Sequence, residues 1–148
     1  TYVAGLMGIA YLGIQFRLSE ALTILPVFTP AATVGLTIGC ALGNLASPFG
    51  LVDIICGTAA TLVATLVTRA VRKIQVGGFP ILAPLAPVLA NALIVGAEIT
   101  VLSPEASVVA FLYSALTVGV GELVVCYGLG TPLYYLCKKY EQKLFYIR

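Results

Sequence analysis

Six carboxylates and eight basic residues carry all the formal charge in a chain of 148 residues that is 60% apolar, with no His and no Trp. Arg17 and Glu20 stand three residues apart in Gln15-Phe16-Arg17-Leu18-Ser19-Glu20, while Asp53, Glu98 and Glu122 lie singly among apolar runs and Glu105 follows Ser103-Pro104. Charged residues make up 9% of the chain, where a soluble domain carries about 25%. The chain therefore reads as a multi-span membrane protein. An ionisable group at membrane depth is unfavourable by a few kcal/mol or more, and it marks a ligand or ion path by default. Buried carboxylates and amides accept hydrogen bonds from a cationic or N–H-rich ligand, or pass a proton along.

Other chemistries find no residues to carry them. Cys40, Cys56, Cys126 and Cys137 have no CxxC spacing, and without His they form no zinc set. They read as small buried apolar groups. No phosphate-cradling GxxxxGK[ST] loop occurs. A net charge of +2 is too small to imply nucleic acid. No enzyme and no cofactor are expected.

These groups need helices to position them. At roughly 20 residues per span, the whole chain, 1–148, is expected to form one integral membrane domain, all-α, with six transmembrane helices. Glycine, proline and charge divide it. Helix one is expected from about Thr1 to Leu12, which is short for a span and implies either a tilted helix or missing upstream residues. Thr1 opens in an apolar run with no basic stretch before it, so no cleavable signal peptide is expected. After the loop Gly13 to Phe16, helix two runs from Leu18 to Phe28 and helix three from Pro30 to Leu45. Ser47-Pro48-Phe49-Gly50 is a turn, helix four covers Leu51 to Lys73, and Gln75-Val76-Gly77-Gly78 links it onward. Helix five runs from Pro80 to Leu102, and helix six begins after Ser103-Pro104 and reaches into Lys138-Lys139. Gly119, Gly121, Gly128, Gly130 and Pro132 make a straight final helix unexpected.

Counting from an inside N-terminus puts Arg69, Arg72, Lys73, Lys138, Lys139, Lys143 and Arg148 on the cytoplasmic side, with both termini. Arg17 alone breaks the positive-inside rule. The same count puts Glu20, Asp53, Glu98 and Glu105 near outer helix ends and Glu122 deeper, near mid-helix. Glu141 falls inside, near lysines. Asn91 and Glu98, two turns apart, share a face of helix five. Asn44 and Gln15 add amides at outer helix ends, so several helices converge on one polar, outward-facing cavity.

Plainer roles compete. Arg17 and Glu20 could form an ion pair fixing the start of helix two. Glu105 suits a first helical turn, where a carboxylate complements the helix dipole. Asp53 is divided between capping and ligand contact. Glu98 and Glu122 lack such an excuse and read as functional. Ala31, Gly35, Gly39 and Gly43 repeat every four residues, which predicts close internal packing of helix three. Ala4 and Gly8 give helix one a shorter version, a rival docking face for a membrane partner.

The run Gln15-Phe16-Arg17-Leu18-Ser19-Glu20-Ala21-Leu22-Thr23-Ile24-Leu25-Pro26 resembles the signature of the QueT-type family. These are substrate-binding S components of energy-coupling factor (ECF) transporters for queuosine precursors. The likeness continues through Gly39 to Asn44, Asp53 to Thr58, Pro87 to Glu98 and Gly121 to Gly130, over nearly the whole chain. It departs at the N-terminus, where such proteins carry a longer first helix. The resemblance implies a six-helix S-component bundle, both termini cytoplasmic and a ligand site near the outer face. It also implies a transmembrane coupling subunit and two ATPase subunits as partners.

The chemistry agrees with a 7-deazaguanine ligand such as preQ1 or queuine. Its ring N–H and exocyclic amine suit one carboxylate, an aminomethyl group wants a second, an Asn can meet the carbonyl, and an aromatic face can stack. Glu98, Glu122, Asp53, Asn91, Asn44, Gln15 and Phe16 supply these groups, with Arg17 and Glu20 beside them. Rival readings are an S component for another neutral or cationic vitamin, or an ion-coupled carrier with Glu98 and Glu122 as relays. An oligomeric structural or channel role is more distant.

Overall fold

The computed structural model describes residues 18–47, 50–104 and 106–145. The expected first helix, with Ala4 and Gly8, lies outside them, as do Gln15, Phe16, Arg17 and Glu105. The described chain opens with a 3-10 helix, Leu18–Val27. Then follow α1 (Ala31–Gly43), a 3-10 turn (Asn44–Ala46), α2 (Leu51–Val71), α3 (Leu85–Leu102), α4 (Val108–Gly128), α5 (Gly130–Lys139) and the single turn α6 (Glu141–Leu144). Among the described residues β pairing is confined to an isolated bridge, Val76 with Phe79. Gly77 and Gly78 close it with φ of 61° and 81°, the two positive angles that a tight two-residue hairpin turn demands.

Leu18–Val27 is the first departure from expectation. It is helical, but wound to three residues per turn, and the burial follows that period: Glu20 and Ala21, Thr23 and Ile24, then Pro26 face inward. The narrow rod packs against α1, α2, α4 and α5.

Burial on α2 is inverted relative to a soluble helix. Ala60, Thr61, Ala64, Thr65 and Thr68 are buried, while Leu51, Ile55, Leu62, Leu66 and Val67 are exposed. Thr65 satisfies its hydroxyl on Thr61 O at 2.8 Å, and Thr68 bonds Ala83 O at 3.1 Å. Small and hydroxylated residues inside, with large aliphatics outside, are what helix packing in lipid requires. In water so much exposed apolar surface would be a liability.

α2, Leu85–Leu102 and the segment Val108–Lys139 are long and apolar enough to cross a membrane. The 13 residues of α1 rise only about 20 Å at 1.5 Å each, short of a hydrocarbon core of about 30 Å. Three described helices thus meet the length of a span where the sequence predicted six spans.

Two helix starts also move. Helix five begins at Leu85 rather than Pro80, because 81–84 form turns and Pro84 and Pro87 are both prolines of the opening turn. There the missing N–H costs nothing, since first-turn amides have no intrahelical acceptor. The last long helix begins at Val108, where Ser107 Oγ accepts from Ala110 N at 3.1 Å. It breaks at Leu129 as expected: Pro132 has no N–H for the Gly128 carbonyl, and its ring crowds that oxygen.

The centre is built on contact between small residues. Ala60, Val95 and Val118 bring α2, α3 and α4 together. A Cβ on Gly96 would stand 2.9 Å from Ala115 Cα, and one on Gly119 would stand 3.5 Å from Ala92 Cβ. By contrast, Ala31, Gly35, Gly39 and Gly43 are exposed. Among the described residues nothing comes within 4 Å of a Cβ added to the three glycines. The internal packing expected for that face is absent there; α1 turns Thr33 inward instead. At the other end of α2, Arg72 and Lys73 share a cavity with Lys138 of α5, so both cationic clusters stand at one end of the molecule.

Candidate functional site

Six of the polar residues singled out from sequence are buried: Glu20 (4% exposed), Asn44 (3%), Asp53 (9%), Asn91 (0%), Glu98 (6%) and Glu122 (0%). They arrive on five elements. The 3-10 helix brings Glu20, the turn after α1 brings Asn44, α2 brings Asp53, α3 brings Asn91 and Glu98, and α4 brings Glu122.

The pairs Gly96–Ala115 and Ala92–Gly119 fix the antiparallel register of α3 on α4. Glu122 then stands level with Leu89. Glu98 lies nine residues further along, about 13 Å away along the axis at 1.5 Å per residue, and Asn91 only about 3 Å from Glu122's level. The polar groups therefore form a seam with two stations rather than one ring.

The first station joins Asp53, Asn44 and Glu98. Asn44 Nδ2 donates to Asp53 O at 3.1 Å and to Cys40 Sγ at 3.6 Å, so its amide nitrogen ties α1 to α2. Gly57 makes room for it: a Cβ there would overlap Asn44 Nδ2. Asp53 lies in the first turn of α2, where the helix dipole favours an anion, and Gly50 rather than Asp53 occupies the cap position. Cys56, one turn below, lies within electrostatic reach of both Glu98 and Asp53.

The second station joins Glu122, Cys126 and Glu20. Cys126 Sγ lies 3.6 Å from Glu122 Oε2 and 3.7 Å from Glu20 O. Thr23 turns its hydroxyl back onto Glu20 O. Glu20 is thus deeper than the outer position expected of it, because the tight 3-10 helix packs beside α4 and turns this residue inward. Asn91 completes this level. Among the described residues neither its amide nitrogen nor its carbonyl oxygen has a hydrogen-bond partner, although the side chain is wholly buried. On α2 the hydroxyls of Thr58 and Thr61 are likewise without partners among the described residues.

Asn91 and Glu98 share the buried face of α3 that their seven-residue spacing predicted. Gln15, Phe16 and Arg17 lie outside the described residues, and so does any contact of theirs with Glu20. Sequence reasoning passed over Cys126, Thr58 and Thr61. Their signal was spacing: Cys126 follows Glu122 by one turn, and Thr58, Thr61, Thr65 and Thr68 recur every three or four residues on α2.

Helices with an apolar exterior around a buried seam of carboxylates and amides define a multi-pass membrane protein with a polar interior site. The chain belongs to the QueT transporter family, whose family model matches residues 1–139. It is similar to the queuosine precursor transporter QueT of Lactococcus lactis subsp. cremoris (strain MG1363), with 43% identity over 63 residues. That match covers 43% of this chain and 37% of the relative's length. No solved structure matches.

Proposed function

We propose that this chain captures a queuosine precursor, a 7-deazaguanine such as preQ1 or queuine, as the substrate-binding S component of an ECF-type importer. The observation that carries the reading is Asn91. A fully buried amide with neither polar atom satisfied among the described residues is unfavourable by about 1–3 kcal/mol per unmade bond, a penalty that a ligand with adjacent donor and acceptor removes. In this reading Glu122, near the same level, accepts from the ring N–H and exocyclic amine together, a charge-assisted pair. Asn91 meets the purine carbonyl. Asp53 and Glu98, at the other station, suit the cationic aminomethyl group of preQ1.

The name of the Lactococcus relative supports the substrate class. In this reading Gln15, Phe16, Arg17 and Glu20 close the site, and Ala4 and Gly8 dock on a transmembrane coupling subunit that works with two ATPase subunits. The cationic end, with both termini, faces the cytoplasm by the positive-inside rule. The chain acts as a binder and carrier, not as an enzyme.

The staggered depths of Glu98 and Glu122 also suit an ion-coupled carrier, which would need no ATPase. Calorimetry on the purified chain with preQ1, queuine, thiamine, biotin and riboflavin tests the substrate. The 7-deazaguanines should bind tightest; equal or tighter binding of an unrelated vitamin overturns the assignment.

A further inference from the structure

At the end of the molecule remote from Asp53, a cavity of about 310 Å³ opens between α2, the 3-10 helix and the α5–α6 corner. Its polar lining is Arg72, Lys73, Gln75, Tyr134, Lys138 and Glu141. Three cations against one carboxylate leave it positive. Val27 and Phe28 supply apolar wall, and Phe28 packs on Tyr134 with ring centroids 5.3 Å apart.

The cations are held open rather than consumed. Arg72 Nη1 bonds Arg69 O at 2.8 Å and Lys138 Nζ bonds Gly78 O at 3.0 Å. Both acceptors are neutral carbonyls, so these bonds do not neutralise the formal charges, and donors remain: five N–H on a guanidinium, three on an ammonium. Tyr134 bonds the same Gly78 carbonyl at 3.0 Å, which fixes the wall from which Lys138 projects. Arg72 lies 19 residues beyond Asp53, about 28 Å along the helix, so this cavity is separate from the polar seam.

Its depth selects the ligand. The cavity sits where α2 ends, and Tyr135 and Tyr140 are half-exposed on the same corner, as amphipathic rings are at a membrane–water interface. A positive pocket with an apolar wall, at headgroup depth and between spanning helices, matches the phosphate and first acyl carbons of an anionic phospholipid. We propose that this cavity binds a phosphate anion, presented by an anionic phospholipid headgroup.

Native mass spectrometry of the purified chain, given equal amounts of phosphatidylglycerol and phosphatidylcholine with identical acyl chains, tests this. Phosphatidylglycerol adducts should exceed phosphatidylcholine adducts by about fivefold or more. The preference should vanish in Arg72→Gln/Lys73→Gln/Lys138→Gln and survive Lys143→Gln, which changes a charge that does not line the cavity. If the triple variant loses its helical circular dichroism, Lys138→Gln alone carries the comparison, because its side chain is exposed. Equal adducts of the two lipids, or a preference that survives the substitutions, overturn the proposal. A third arm adds inorganic phosphate: binding that depends on the three cations without any lipid preference would make the ligand a soluble anion and overturn the lipid assignment.

Discussion

Asn91 separates a binding residue from a packing residue more sharply than any carboxylate here. A residue retained for structure finds its hydrogen bonds within the fold; among the described residues the Asn91 amide finds none. Asn91→Leu, which keeps the branching and replaces both polar atoms by methyl groups, should therefore raise the thermal stability of the protein, by up to about 1–3 kcal/mol if the unmade bonds are the whole penalty and the larger side chain is accommodated. The same substitution should weaken 7-deazaguanine binding by a similar amount. Unfolding and calorimetry on one preparation check both, and loss of stability would return Asn91 to a structural role. Glu122→Gln keeps the shape but removes the charge from the buried pair with Cys126. It should weaken ligand binding by about 1.5–3 kcal/mol, the range for a hydrogen bond to a charged group. Glu98→Gln should matter more for preQ1, which carries a cationic aminomethyl group, than for a neutral 7-deazaguanine. Equal losses for both ligands would move the amine's partner elsewhere.

Among the elements, the α3–α4 hairpin sets the spacing of the two stations. Its register depends on Gly96, where an added Cβ would meet Ala115 backbone at 2.9 Å. Backbone cannot swing aside as a side chain can, so Gly96→Ala must part the helices by a few tenths of an ångström. The expected effect is a loss of about 1–3 kcal/mol of stability, read from thermal unfolding in detergent, with weakened ligand binding as Asn91 and Glu122 shift. Gly57→Ala presses instead on the Asn44 side chain, which can rotate away. It should lose the bond to Asp53 O, about 0.5–1.5 kcal/mol.

For the molecule as a whole, the polar seam and the cationic cavity lie at different depths of one bundle. No nucleotide-binding loop occurs in the sequence. In the importer reading, vesicles containing only this chain should bind a 7-deazaguanine without concentrating it. Radiolabelled uptake with and without an imposed proton gradient is the measurement, and gradient-driven accumulation would select the ion-coupled carrier.

Composition and period determined much of this unaided. A chain with 9% charge and long apolar runs satisfies its backbone in lipid by winding each run into a helix, whose hydrogen bonds all lie within one segment. The seven-residue step from Asn91 to Glu98 put both on one face because 3.6 residues make a turn. Pro132 and its neighbouring glycines marked a break because proline removes a hydrogen bond wherever the helix goes. Each of these follows from local geometry. Depth and partnership do not, because they are set by how one helix slides and rotates on another. Glu20 looked like an outer-end residue until the 3-10 winding of Leu18–Val27 carried it inward to Cys126. Gly35, Gly39 and Gly43 had the pattern of a packed face, yet α1 rotates Thr33 inward and leaves them exposed. Cys126, read as inert, became a neighbour of Glu122. Periodicity names the residues that share a face; only the close approach of Gly96 to Ala115 and of Gly57 to Asn44 decided which faces meet, since backbone contact fixes rotation and register together.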